Sequence, residues 1–178
     1  MSTSRRRIKW RAGALALAWL PAIGAAHAQG YGLGRPATDQ EIAGWNIDVK
    51  ADGSGLPAGS GTAVRGAALY AQQCVACHGV KGAGGAANKL AGGFGTLNTP
   101  GAQKTIGSFW PYATTVFDYV RRAMPHNAPQ SLSNDEVYAL TAYLLNINGV
   151  IGENDEMNAR TLPKVQMPNH AGFKPVVD

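Results

Sequence analysis

Apolar residues recur at helical spacing in three stretches of the chain, and each stretch is bounded by residues suited to a helix end. Val64, Ala67, Ala68 and Ala71, with Leu69 and Tyr70 alongside, predict a helix from Ala63 to Gln73. Thr62 precedes it as an N-cap, whose hydroxyl accepts an otherwise unpaired N–H of the first turn. A second helix is predicted from Tyr112 to Arg122, with Val116, Phe117 and Val120 on one side. Met124-Pro125 ends it, because a residue before proline avoids the helical region. The third is the clearest. Ser133 and Glu136 form a capping box, Val137, Leu140, Thr141, Leu144 and Leu145 make an apolar face, and Asn148-Gly149 closes the helix.

Outside these stretches the pattern is lost. Residues 29–61 are rich in Gly, Pro, Ser and Asp, and are read as an extended N-terminal arm. It holds one short helical turn near Thr38 to Ile42, with Thr38 as cap and Glu41 at the third helical position. Residues 151–178 turn to Pro, Asn and charge and are read as a second extended arm. The expected domain is 62–150, all-α, with no internal repeat.

The N-terminus is a targeting segment in appearance. Arg5, Arg6, Arg7 and Lys9 form a basic start, Ala12 to Ile23 is a short apolar run, and Ala26-His27-Ala28 is a small-residue cleavage signature. The apolar run falls short of the ~20 residues that span a bilayer. Residues 1–28 are therefore read as a signal peptide cleaved near Ala28, which places the mature protein in the periplasm with no membrane span. Cleavage changes the charge. Five of the 16 basic residues lie in that segment, and all 11 acidic residues lie beyond it. The mature chain is formally neutral, so the basic whole-chain balance gives no reason to expect a nucleic-acid partner. The remaining basic doublet, Arg121-Arg122, is read as a solvated helix face.

Two cysteines remain, Cys74 and Cys77, followed at once by His78. A disulfide across two intervening residues would close a very short loop and remove little chain entropy. A redox pair of the thioredoxin kind needs a βαβ surround, and a zinc site needs four ligands. His126 and His170 do not supply them at the required spacing. Cys-x-x-Cys-His instead suits covalent haem c: two thiols for the two vinyl groups, and an imidazole for the iron from the same face. One motif means one haem. The glycines from Gly79 to Gly95 then read as loops passing close to a flat macrocycle.

For the opposite side of the iron the candidates are Met124, Met157, Met167, His126 and His170. Met124 is preferred, because it lies between two helices and Pro125 stiffens the loop presenting its sulfur. Trp110 and Tyr112, clustered with Phe94 and Phe109, are candidates to wall the haem pocket or bond a propionate. Gly66 and Tyr70, set against Leu140 and Tyr143, suggest a close crossing of the first and last helices.

With these motifs assembled, residues 62–149 resemble class I cytochrome c. The marks are Gly66-x-x-x-Tyr70, Cys74-x-x-Cys77-His78-Gly79, Met124-Pro125, and Leu132-Ser133-Asn134-Asp135-Glu136 leading to Ala142-Tyr143-Leu144. The resemblance implies a class I helical fold around one haem, His78/Met124 iron and electron transfer. One departure stands out. The family usually carries a proline after the haem histidine, whose carbonyl orients the imidazole, and here none occurs before Pro100. A carbonyl in Asn88 to Gly92 is expected to take its place.

A narrower resemblance covers nearly the whole mature chain. Gly32-Leu33-Gly34-Arg35-Pro36, Trp45-Asn46-Ile47-Asp48-Val49, Phe109-Trp110-Pro111-Tyr112 and Ala128-Pro129-Gln130-Ser131-Leu132 look like cytochrome subunits of periplasmic molybdenum sulfite and sulfane dehydrogenases, SoxD-like proteins in particular. That implies a molybdenum dehydrogenase partner, a downstream cytochrome or oxidase as acceptor, and no catalytic centre in this chain. On this reading the arms, with Trp45, Ile47 and Leu56, wrap the partner; the alternative is that they are loose linkers or pack back over the haem domain itself. The rivals are a free diffusible carrier and a haem enzyme or gas sensor with a labile sixth ligand.

Overall fold

The computed structural model describes residues 34–174. The expected signal peptide and the first residues of the N-terminal arm lie outside them, as do 175–178. The chain divides into two units, Met1–Thr38 and Asp39–Asp178. Of the first, only 34–38 are described, and they hold no helix or strand. No helix among the described residues is long and apolar enough to cross a membrane.

The second unit is helical. Its elements are α1 (Asp39–Trp45), β1 (Ser60–Gly61), α2 (Ala63–Gln73), α3 (Val75–His78), α4 (Ala113–Ala123), α5 (Asn134–Asn146) and β2 (Met157–Asn158). One-turn 3-10 helices follow at Val80–Gly82 and Leu162–Lys164. Local signals set the three long helices. Thr62 accepts from Arg65 N at the start of α2. Ser133 and Glu136 close both bonds of the capping box on α5, a device that contributes ~1 kcal/mol. The bonds to Ser133 also hold the Glu136 carboxyl below its ordinary range.

α2 and α5 cross closely, and α4 packs on α5. Gly66 makes the crossing possible: a side chain there would run into the Ala139 carbonyl and Tyr143. Beside it the Tyr70 and Tyr143 rings lie 5.0 Å apart. On the other side Phe117 of α4 meets Tyr138 at 4.4 Å, both fully buried. α5 is buried nearly all round, from Val137 to Leu145, as expected of a helix sandwiched by its neighbours.

Of the two readings of the flanks, packing back on the domain is the one the contacts show. Val49, Met157, Leu162 and Met167 all belong to the domain's own core. β1 pairs antiparallel with β2, Tyr138 donates to Pro57 O at 2.9 Å, and Asn134 donates to Ala58 O at 3.2 Å. A fully buried leucine such as Leu162 gains about 1.5–3 kcal/mol over an exposed one, so these segments stabilise the body they lie on. Only α1 stays bare. None of its residues is buried, and Trp45 is 84% exposed. The Arg121-Arg122 doublet is likewise corrected. Arg122 pairs with Asp48 at 2.6 Å and Asp118 at 3.0 Å, and Arg121 donates to Ile47 O at 3.4 Å.

Candidate haem site

α2 runs into Cys74, and the next turn, α3, carries Val75 to His78. Cys74, Cys77 and His78 therefore sit on one helical turn. Both thiols are free. Cys74 is half-buried; burial first, and Cys77 second, push its thiol up to about 11.

His78 is oriented by the loop that follows it. Its Nδ1 lies 2.9 Å from the carbonyl of Asn88. A carbonyl only accepts, so Nδ1 is the donor, and Nε2 is left with the lone pair for a metal. Asn88 thus takes the place of the missing proline, within the stretch that the sequence indicated. The loop reaches this position by bonding the motif's own backbone. Gly84 N donates to His78 O and Ala87 N to Cys77 O, both at 2.8 Å. Gly79 starts the reversal at φ +73, where a Cβ would also overlap the Gly84 carbonyl.

Two buried side chains lock this loop to the helices, and the sequence reading missed both roles. Asn148 is 5% exposed and staples the loop to the end of α5. Its Nδ2 donates to Leu90 O at 3.1 Å and Leu144 O at 2.8 Å, and its Oδ1 accepts from Gly92 N at 3.1 Å. In sequence it looked only like half of an Asn-Gly helix end. Tyr70 donates its hydroxyl to Gly79 O at 2.9 Å, a bond hidden behind its apparent packing role. Burial, the larger cause, raises Tyr70 to about 12. The bond is intact below the ordinary phenol value near 10 and is lost as pH rises through about 12. Tyr70→Phe is expected to lower stability by ~1 kcal/mol, read as a lower guanidinium midpoint with unchanged slope.

Met124 follows α4 directly as its C-cap, in extended conformation. It is half-buried at the edge of the core, as are Cys74, Val75, Leu90 and Trp110. The other sulfurs are otherwise engaged: Met157 and Met167 are 5% and 3% exposed within the core. His126 is exposed, and His170 meets the Tyr112 ring edge-on at 5.2 Å. Trp110 packs edge-on to Tyr119 at 5.7 Å. Tyr112 lines a cavity of about 360 Å³ with Asp52, Thr114, Gln166 and His170; none of Cys74, Cys77, His78 and Met124 lines it. Among the described residues no cluster of His, Cys, Asp or Glu could hold a metal ion by itself.

These features fit covalent haem. Two free thiols stand on the turn that carries an imidazole with Nε2 available, and a half-covered apolar rim with a thioether lies at the core's edge. Residues 63–148 match the family described as Cytochrome c. In the crystal structure of the sulfane dehydrogenase SoxCD from Paracoccus pantotrophus, a chain superposes with a TM-score of 0.77 at 45% identity. The match covers 82% of this chain and 72% of that one.

The chain belongs to the cytochrome c family.

No curated protein sequence matches it. The helices of the cytochrome, with little strand, have the class I cytochrome c architecture. It is an electron-transfer cytochrome of a family that carries covalently bound haem c.

Proposed function

We propose that the cytochrome is the single-haem electron-transfer subunit of a periplasmic molybdenum-dependent dehydrogenase acting on sulfite or another reduced sulfur compound. One observation carries this reading. The likeness to a sulfane dehydrogenase chain covers 82% of the protein at 45% identity, well beyond the 63–148 segment common to the family. It takes in flanking sequence that a general cytochrome c does not need.

In this reading Cys74 and Cys77 would form the thioethers, and His78 and Met124 would ligate the iron. When bound, the haem supplies a one-electron couple at iron. The polypeptide supplies orientation and shielding: Asn88 O fixes the imidazole, Asn148 and Tyr70 hold the loop that carries that carbonyl, and Trp110 walls the pocket. Electrons arrive from the molybdenum subunit and leave to a soluble cytochrome or an oxidase. The protein is exported with cleavage near Ala28.

The ligand assignment is tested by Met124→Ala. The oxidised variant is expected to lose the weak sulfur-to-iron charge-transfer band at the red edge of the spectrum, and its potential is expected to fall, because a thioether favours ferrous iron. An unchanged band assigns the position to another residue. The complex is tested in the native host. Tagged holoprotein should copurify with a molybdenum-containing subunit, and its haem should be reduced on adding sulfite or a sulfane compound. A monomer that no sulfur compound reduces would be the diffusible carrier. The folding of both flanks onto the domain favours that second reading, since it leaves little of them free to wrap a partner.

A further inference from the structure

α4 hands directly to Met124, and a distant segment of the chain is bonded along it. Residues 47–51, which lie outside the family segment 63–148, run along it in the opposite direction. Thr114 Oγ1 donates to Ala51 O at 3.0 Å, and Val49 N donates to Asp118 Oδ1 at 2.9 Å. Arg122 donates to Asp48 at 2.6 Å, and Arg121 donates to Ile47 O at 3.4 Å. Asp118 also accepts from Arg122 Nε on its second oxygen at 3.0 Å. The spacings agree. The eight residue steps from Thr114 to Arg122 rise about 12 Å, and the three to four steps from Ala51 back to Asp48 and Ile47 span about 10–13 Å. The first two turns of α4 therefore meet one strap residue each, and the last turn meets two, Asp48 and Ile47.

From this register we infer that residues 47–51 are a strap that restrains the last turn of α4, with Asp118 as its hub, and thereby fixes where Met124 presents its sulfur. The inference rests on Met124 being the axial ligand. The physical reason lies in the helix end. The last turn of a helix has carbonyls without intrahelical partners and frays first, and Pro125 prevents α4 from continuing. Met124 N is held to the helix by one bond, to Val120 O at 3.1 Å. Arg121 and Arg122 belong to that same turn, so their bonds to the strap oppose its opening. Asp118 bonds Val49 and Arg122 rather than the haem motif or Met124, so it is a positioning residue.

An entering ligand must displace the methionine, so its apparent affinity scales with the fraction of protein in which that turn is open. Asp118→Ala removes the acceptor for both Val49 N and Arg122 Nε. The affinity of imidazole for the oxidised holoprotein is then expected to rise roughly tenfold, the effect of losing a hydrogen bond to a charged group. The charge-transfer band should also fade at a lower temperature than in the parent, well below global unfolding. Asp118→Asn keeps an acceptor for Val49 N and should recover part of the difference. Asp48→Asn, at an exposed position, should raise imidazole affinity about two- to threefold, and it decides the matter if Asp118→Ala does not fold. Unchanged imidazole affinity in the folded Asp118 and Asp48 variants, whatever their unfolding temperature, would overturn the strap. Met124→Ala separates the two failures: if it abolishes the band while the strap variants bind imidazole normally, only the strap is wrong. If it leaves the band intact, the ligand assignment itself is wrong.

Discussion

Replacing Cys74 and Cys77 together with alanine is expected to yield a chain with no haem that survives denaturation. The two thiols stand on one turn with His78, free of any disulfide. Without them, the only remaining links are those from side chains to iron, and these do not outlast unfolding. The single variants should each keep one thioether and show a shifted haemochrome spectrum. The loss should also weaken the fold. Leu90, Trp110, Met124 and Val75 are only partly buried in the polypeptide alone, and half-covered apolar surface of this kind contributes ~25 cal/mol per Å² when a bound group removes it from water. Haem staining of a denaturing gel reads the result directly. A stained band at the position of the double variant would exclude these thiols as the attachment points.

Gly66→Ala is the second large effect, and its sign runs against helix propensity. Within an isolated helix, alanine is preferred to glycine by ~1 kcal/mol. Here the added Cβ would overlap the Ala139 carbonyl and press on Tyr143. The obstacle is backbone in a buried helix, so the crossing of α2 and α5 must widen. Overpacking costs typically 1–3 kcal/mol, and more against rigid neighbours. A net loss of ~2–4 kcal/mol is expected, or a melting temperature lower by roughly 10 °C. Gly44→Ala provides the contrast. Gly44 lies in exposed α1 with nothing near its Cβ position, so the same substitution should leave the melting temperature unchanged or slightly raised. A Gly66→Ala protein as stable as the parent would mean that the crossing is not set by this contact.

The legible parts share a property. The start of α2 at Thr62, the box at Ser133 and Glu136, and the end of α4 at Met124-Pro125 each depend on residues within four positions of one another. The motif from Cys74 to His78 is legible for the same reason, since its chemistry needs only the spacing. α1 was partly visible: a turn near Thr38 was expected, and the helix runs to Trp45. The short helix α3 was not separated from α2, because four residues carry no period of their own. The Gly66 crossing was visible as a motif, and the atoms nearest to Gly66 belong to Ala139 and Tyr143.

Where sequence reading failed, the partners are far apart in the chain. Asp48 and Arg122 meet across 74 positions, Val49 and Asp118 across 69, and Pro57 and Tyr138 across 81. A Gly-, Pro- and Ser-rich stretch has no periodicity with which to announce such contacts, and the arginine doublet looked like any solvated pair. The amino-acid sequence by itself determined the Cys74-to-His78 motif, the capped helix starts and the family, because these are properties of neighbouring residues. The tertiary structure decided that Asn88 replaces the missing proline, that Asn148 and Tyr70 hold the haem loop, and that the flanks close back on the domain. Each depends on burial and hydrogen-bond geometry that exist only once distant segments meet, and no local pattern encodes which of several polar groups will arrive there.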